Sequence, residues 1–252
     1  IYAPVPVRII DIDDGSLKRF GQWPWPRTLM AALVGKLTQA GASAIVFDIV
    51  FAESDRTSPK ALARIYPKSS EITGLISLLP DHDDLFAQKI RNRPVVLGFS
   101  CSSEQSAASP PPQIARFIMA GDDPRQFLHE FQGAVRNLGV LEQSAAGMGA
   151  FNFMAGRDGV IRHLPLVMNI QGKLFPGITA EALRVVQGER NMLIRSSGAA
   201  GANRFGGHTG IVSVRIGATE IPTDPNGEVW LHYSPFVPER YISAGDILAD
   251  EF

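Results

Sequence analysis

The chain has little of three features that often indicate a function. Its 252 residues include one cysteine, Cys101, which has no partner for an intramolecular disulfide and no cysteine neighbour for a structural zinc site. Neither sign of charge dominates, since 24 lysines and arginines face 25 aspartates and glutamates, and the basic field of a nucleic-acid-binding protein is missing. No apolar run approaches the roughly 20 residues that span a bilayer. We therefore expect a soluble part of a protein with no nucleic-acid partner.

What the sequence does contain is enough apolar surface for a substantial core, because 45% of its residues are hydrophobic. Two short apolar runs, Val7–Asp13 and Ala44–Ile49, each contain or end in aspartate. Between them Pro26 suits a first helical position, leucines recur at four-residue steps from Leu29, and Gly41 suits the end of a helix. Strand, helix and strand predict a right-handed parallel unit.

This parallel unit would bring distinctive side chains to one edge of the sheet, because both strands finish there. Asp11, Asp13 and Asp48 follow the two strands. Their carboxylates either contact a ligand or cation, or cap turns by accepting hydrogen bonds from backbone amides. Trp25 either stacks on a ligand or covers the core. Arg27 lies at the helix start, where a positive charge is unfavourable, so we expect it to pair with one of these aspartates.

The second half of the chain predicts antiparallel structure. Residues 150–153 and 160–170 suggest a hairpin around a turn at residues 156–159, followed by a helix at about residues 176–186. The later strands are predicted at residues 211–216, 220–221 and 228–233, with a turn at residues 224–227. We expect one α/β domain over residues 1–252, with helices packed on a mixed sheet that starts parallel and continues with antiparallel hairpins.

Three further polar residues are candidate ligand contacts. Asp158 and Arg162 flank a predicted turn and its following strand, and Asn152 precedes them. The alternative is that they only stabilise the turn. The five histidines are dispersed and the glycine-rich segments do not join a strand to a helix, so neither a metal site nor a cofactor is expected.

Several segments together carry a family resemblance. They are Ile12-Asp13-Asp14, Trp23-Pro24-Trp25-Pro26-Arg27, Gly41-Ala42, Phe47-Asp48-Ile49, Asp158-Gly159-Val160-Ile161-Arg162, Leu164-Pro165-Leu166 and Tyr241–Leu248. In this combination the chain resembles CHASE-type sensory domains of the second class, the cyclase- and histidine-kinase-associated sensory extracellular domains. The tryptophan-proline segment is the most specific part of the pattern.

This resemblance implies a ligand-sensing domain in the periplasm, tethered through membrane helices to an adenylate or guanylate cyclase, a histidine kinase or a protein kinase. It implies no catalysis by the domain itself and does not identify a signal. We expect an unknown small molecule as partner, bound at the edge described above. A homodimer is a further expectation. The family would continue with an apolar strand and membrane helices after Asp246-Ile247-Leu248, whereas this chain stops at Phe252. Either the chain is a piece of a longer protein, or the last strand is absent.

Two other functions remain as alternatives. Asp11–Leu17 resembles the aspartyl nucleophile motif of magnesium-dependent phosphatases of the haloacid-dehalogenase type, with Asp81–Asp84 as the distal acidic pair. Against this, the distal pair begins a predicted helix, and no lysine occupies a suitable strand end between the two motifs. The second alternative is a module whose role is to bring receptor chains together.

Overall fold

The computed structural model of the chain describes residues 6–65, 74–76, 78–104, 108–153, 158–199 and 209–251. The α-helices include α1 (Asp14–Phe20), α2 (Arg27–Gln39), α3 (Pro59–Ile65), α4 (His82–Ile90), α5 (Gly139–Glu142), α6 (Ile178–Val186) and α7 (Ala244–Ala249). The strands are β1 (Ile9–Asp11), β2 (Ile45–Phe47), β3 (Val95–Ser102), β4 (Arg116–Ala120), β5 (Glu130–Phe131), β6 (Gly133–Val135), β7 (Gly147–Ala150), β8 (His163–Pro165), β9 (Val167–Ile170), β10 (Lys173–Pro176), β11 (Asn191–Ser196), β12 (Ile211–Ile216), β13 (Thr219–Pro222), β14 (Glu228–Trp230) and β15 (Tyr241–Ser243). Within the described part of the chain, no helix has the length and apolarity that crossing a membrane requires.

Two compact units divide the chain. The first unit consists of Ile1–Ala42, Ser54–Lys89 and Tyr233–Phe252, and the second consists of Ser43–Glu53 and Ile90–His232. Most strands belong to the second unit, while the first unit contains helices α1 to α3, most of α4, and α7.

The first unit is built on helices around one short parallel strand pair. Strand β1 pairs with β15, so that Asp11 lies opposite Ser243. Helix α7 follows β15 directly and packs against α1 and α2. Met30, Leu33 and Val34 are the buried apolar residues of α2, on a face of three- and four-residue steps.

The second unit is organised around β3, whose residues from Val95 to Phe99 are all buried. Strands β2 and β7 pair with β3 in parallel, and β6 pairs antiparallel with its last residues. Helix α6 packs on β7 and β3. Gly149 of β7 permits this close approach, because a Cβ there would lie 2.5 Å from the Cα of Ile178.

Three more sheets complete the described part of the second unit. Their strand orders are β13-β12-β11-β4, β10-β9-β5 and β14-β8. Met192, Ile194, Val214 and Ile216 are buried in one hydrophobic cluster between these elements. Alternate residues of β11 and β12 supply that cluster, as expected for strands with one face on the core.

The predicted fold class is confirmed: the protein is a mixed α/β fold with parallel pairs among its early strands and antiparallel pairs later. The partner of the first strand differs from the prediction, because β1 pairs with β15 and β2 pairs with β3, in different sheets. The burial patterns explain the difference. Strand β2 has two fully buried residues that suit a central, apolar neighbour such as β3, whereas the residues of β1 are exposed or half-buried and suit a peripheral pair.

The predicted hairpin of residues 150–153 with 160–170 is wrong. Strand β7 pairs with β3, and the hairpin in this region joins β9 to β10. Its turn residues, Gln171 and Gly172, both have positive φ, the backbone of a type I′ turn that matches strand twist. Residues 156 and 157 of the predicted turn lie outside the described residues. The predicted helix near residues 176–186, the strand at residues 211–216 and the turn at Asp224 are confirmed.

Candidate functional site

Trp25 is an internal anchor of the first unit. Its side chain is 1% exposed, its indole Nε1 donates a hydrogen bond to the Gly21 carbonyl at 2.7 Å, and Phe20 meets it edge-on with ring centroids 6.0 Å apart. An indole buried with its N–H paired contributes apolar packing without leaving an unsatisfied donor. Of the two tryptophans in the segment, Trp23 is the exposed one, at 40%.

Arg27, the first residue of α2, is buried among acidic groups. Its Nε lies 3.2 Å from Asp83 Oδ1, and its backbone N–H donates to Asp55 Oδ2 at 2.7 Å. Asp83 in turn accepts a hydrogen bond from the Asp55 amide at 3.0 Å. An acidic environment for Arg27 was predicted, but these two partners differ from the predicted Asp11, Asp13 and Asp48. The carboxylates of Asp55 and Asp83 compensate the positive charge of Arg27 at the helix start, where the helix dipole disfavours an unpaired cation.

Asp55 is the hub of this cluster. Its Oδ1 accepts hydrogen bonds from the Thr57 amide and hydroxyl, both at 2.7 Å. His82 Nδ1 lies 3.1 Å from Oδ2, the oxygen that also accepts from Arg27. The carboxylate therefore has contacts on both oxygens within the protein. Such a saturated group holds loops and helix starts together and has little capacity left for a ligand.

Burial and hydrogen bonding act on the pKa values of this cluster in opposite directions. Burial lowers the pKa of Arg27 and raises the pKa of Asp83, since each charge has left water. Burial also acts to raise the pKa of Asp55. The hydrogen bonds from the Arg27 amide and from Thr57 together outweigh that effect, and the pKa of Asp55 is lowered. The cluster is a structural charge network in which Asp55 is the stabilised anion.

Asp13 has a local structural role. It is the N-cap of α1, and its Oδ1 accepts hydrogen bonds from the Ser16 amide and hydroxyl at 2.7 Å and from the Ser243 hydroxyl at 3.1 Å. The hydrogen bonds from Ser16 lower the pKa of Asp13. Ser16, which is fully buried, also accepts from the Gly245 amide at 2.7 Å. A phosphatase mechanism that uses Asp13 for proton transfer would have to break this cap.

The remaining predicted contacts of the strand ends are exposed. Asp11 ends β1 beside β15 in the first unit, and Asp48 follows β2 in the second unit. Strands β1 and β2 pair with different strands, so Asp11 and Asp48 do not follow two strands of one pair. In the part of the chain that is described, His, Cys, Asp and Glu side chains form no group of three that could hold a metal ion.

In the second unit, Asp158 and Arg162 form an exposed ion pair with two hydrogen bonds of 2.7 and 2.9 Å. Asp158 also accepts from the Val160 amide at 3.1 Å, the geometry of a turn-stabilising aspartate. Asn152 bridges to β3, since its Oδ1 accepts from the Cys101 amide at 2.5 Å and its Nδ2 donates to the Cys101 carbonyl at 3.0 Å. Burial raises the pKa of the Cys101 thiol to about 12.

Beside Asn152 the second unit contains a half-open cavity of about 250 Å³. Its lining is Phe127, Leu128, His129, Phe131, Asn152, Phe153, Pro165, Val167, Met168, Asn226 and Glu228. Most of these residues are apolar or aromatic, and a few are polar. Ligand sites in proteins usually have this composition, and those for drug-sized molecules measure roughly 300–1,000 Å³. The cavity therefore suits a smaller molecule.

Glu228 is the charged residue of this lining. It begins β14, opposite Pro165 of β8, and its side chain is 16% exposed. Burial raises its pKa, and the charge of Asp224 raises it further. His163 Nδ1 lies 3.9 Å from Glu228 Oε2. The imidazole ring of His163 meets the Trp230 ring edge-on, with ring centroids 4.2 Å apart. Sequence reasoning missed this residue, because a single glutamate after a turn carries no motif.

Comparison with known families assigns the chain to a family. The family model of the CHASE2 domain matches residues 2–252, so the chain belongs to the CHASE2 domain family. CHASE2 domains are sensory, not catalytic, domains of signalling receptors. Neither the curated proteins nor the solved structures contain a match to this chain.

Proposed function

We propose that this CHASE2 domain senses a small molecule that binds in the cavity beside Asn152. The observation that carries the proposal is the cavity itself, a concave and mostly apolar space with a few polar groups, inside the second unit. Asn152, predicted as a ligand contact, is one of its lining residues. The other predicted contacts stay predictions: Asp11, Asp13, Trp25, Arg27, Asp48, Asp158 and Arg162.

The cavity is favoured over the predicted strand edge for a physical reason. Trp25 is buried, and Arg27, Asp13 and Asp55 already have partners within the first unit. A ligand at those groups would have to replace short hydrogen bonds of 2.7 Å. The cavity offers apolar area without that cost.

The setting of the domain is also a proposal. We infer that residues 1–252 form one sensory domain, placed in the periplasm and tethered to the inner membrane, with a cyclase, histidine kinase or protein kinase as output. Membership of a sensory family of signalling receptors supports this assignment. Fusions of the native protein to a reporter enzyme that is active only outside the cytoplasm test the location. A stably expressed fusion without reporter activity would contradict it.

A blocked cavity tests the binding site. Leu128 is half-buried in the lining, so Leu128→Trp should fill the space without replacing a fully buried residue. Val186→Trp is a matched control, because Val186 is 51% exposed in the same unit and does not line the cavity. Both variants are screened against a metabolite panel by thermal shift, since a ligand that binds the folded state raises the melting temperature.

We expect at least one compound to raise the melting temperature of the wild type and of Val186→Trp, but not of Leu128→Trp. In the full-length receptor the same compound should change output, because a signal requires a ligand that favours one of two states. A compound that stabilises Leu128→Trp as strongly as the wild type would place the site elsewhere. A panel without any stabilising compound would remove support for small-molecule sensing.

One observation favours the association module as a second candidate. Strand β4 ends its sheet among the described residues, and its Ile118 and Met119 are 52% and 49% exposed. Apolar edge strands readily pair with another chain. We propose a homodimer through β4, measured by solution mass, with Ile118→Lys expected to give monomers. A monomeric wild type across the accessible concentration range would contradict it.

A further inference from the structure

The charge of the cavity lining restricts the ligand. Among the described residues that line the cavity, Glu228 is the one carboxylate, and lysine and arginine are absent. An anionic ligand would enter a site of like charge, where the described lining residues offer it no lysine or arginine, and this costs free energy. A cationic ligand would meet an acceptor of opposite charge.

The position of Glu228 is fixed by its backbone. Its amide donates to Asp224 Oδ1 and its carbonyl accepts from the Asp224 amide, both at 2.9 Å. Within 4.0 Å, the basic side chain that the described residues give its carboxylate is His163, whose Nδ1 lies at 3.9 Å, longer than a charge-assisted hydrogen bond. A half-buried carboxylate on a rigid turn and strand, with a distant partner, is a pre-organised acceptor for a ligand ammonium.

Aromatic rings supply the rest of the site. Phe127, Phe131 and Phe153 line the cavity, and His129 meets Phe131 edge-on at 4.8 Å. Ring faces attract both apolar surface and a nearby cation. The side-chain amide of Asn152 is already hydrogen-bonded to the backbone of Cys101, so Asn152 contributes to the shape of the cavity more than to hydrogen bonds with a ligand.

We propose that the ligand of this cavity is a small aromatic amine whose ammonium group binds Glu228 and whose ring packs among the phenylalanines. This inference rests on the proposed function, because it assigns a chemical class to the ligand of the same cavity.

Three probes with one ring system test the charge: tryptamine, the neutral alcohol tryptophol and the acid indole-3-propionate. Affinities are measured by calorimetry at about pH 8, where an ordinary imidazole is uncharged. We expect tryptamine to bind about tenfold or more tightly than the acid, with the alcohol between them. Glu228→Gln should remove the preference for the amine, and Glu104→Gln, an exposed glutamate in the same unit, should keep it.

The outcomes separate the two proposals. Equal affinity for the three probes, or an amine preference that survives Glu228→Gln, would overturn the amine assignment and leave cavity binding intact. Because the wild-type comparison needs no variant, a misfolded Glu228→Gln would not rescue the inference. Absence of binding for every probe up to about 10 mM, or binding that Leu128→Trp does not weaken, would overturn the amine assignment, whereas the metabolite panel decides cavity binding by itself.

Discussion

The two units treat their partly buried charges differently. Around Arg27 in the first unit, both carboxylate oxygens of Asp55 and one of Asp83 accept hydrogen bonds, and Asp83 Oδ1 lies 3.2 Å from Arg27 Nε as an ion pair without hydrogen-bond geometry. Beside the cavity of the second unit, Glu228 is also partly withdrawn from water, but the His163 imidazole is 3.9 Å from its carboxylate. A network of charged groups that contact one another stabilises the fold, because removing one member leaves the others buried without that partner. An unsaturated carboxylate beside open space is available to a ligand.

The largest expected effect comes from breaking the network at its cation. Arg27→Met should lower the free energy of unfolding by about 3 kcal/mol, because it leaves Asp83 buried without its charge partner. Adding Asp83→Asn should recover part of that loss, since asparagine is neutral and retains an oxygen for the Asp55 amide. Urea denaturation of the single and double variants measures both values.

Arg125→Met is the matched control for this pair of variants. Arg125 and Asp123 form an exposed ion pair. Removing the charge of Arg125 should therefore leave the denaturation midpoint unchanged. A double variant that is no more stable than Arg27→Met would show that Asp83 contributes through its hydrogen bond and not through its charge.

The second effect concerns the hub of the network. Asp55→Asn should cost about 2 kcal/mol near neutral pH, because the ionised oxygens accept hydrogen bonds from Arg27 and Thr57. The folded-state pKa of Asp55 is lowered, so its contribution is present above the pKa of the unfolded chain and is lost as pH falls through the folded value. The stability gap between wild type and variant should therefore close in acid.

Exposed Asp84, in the first turn of α4, provides the control for the loss of one negative charge. Asp84→Asn should shift stability by only a few tenths of a kcal/mol through the helix dipole. A gap for Asp55→Asn that persists at low pH would mean that shape, and not ionisation, determines the role of Asp55.

Local patterns in the sequence predicted much of the fold. Pro26 and Gly41 marked the ends of α2, and the apolar run Ala44–Ile49 predicted β2. Strand partners were harder, because a period of two identifies a buried face but does not name the neighbour on either side. Strand β1 found its partner 230 residues later in β15, a separation that local rules do not reach.

The candidate site was less predictable than the fold. The sequence indicated that Arg27 needs an acidic partner, but Asp55 and Asp83 reach it through tertiary structure. The Asp-x-Thr pattern at Asp55 is a turn signal that, in hindsight, identifies a carboxylate with local donors. For Glu228 no such signal exists, since its chemistry depends on a cavity formed by residues from Phe127 to Asn226.

A smaller effect is expected when the unsaturated carboxylate is neutralised. Glu228→Gln should leave the free energy of unfolding unchanged or raise it slightly near neutral pH. The folded-state pKa of Glu228 is raised by burial and by Asp224, so its favourable contribution is present below the unfolded pKa and is lost as pH rises through the folded value. Any gain in the variant should therefore vanish in acid. Thermal unfolding from about pH 4 to pH 8 follows the trend.

Glu104→Gln serves again as the exposed control, with a flat difference across the same pH range. A clear loss of stability in Glu228→Gln would instead place Glu228 with Asp55, as a structural anion whose role is to hold the turn at Asp224.

The smallest effect is expected at the surface ion pair of the second unit. Asp158→Asn and Arg162→Gln should leave both the melting temperature and the ligand-induced shift unchanged, because the two side chains are about half exposed and their hydrogen bonds exchange readily with water. The compound that stabilises the wild type in the Leu128→Trp experiment is used again, and the measurement is the shift that it causes in the melting temperature. If Asp158→Asn keeps the melting temperature but loses the ligand response, this pair contacts the ligand, as the sequence pattern suggested. In that case the contrast between saturated and unsaturated charges does not identify the site, since a carboxylate with a close cation would also recognise the signal.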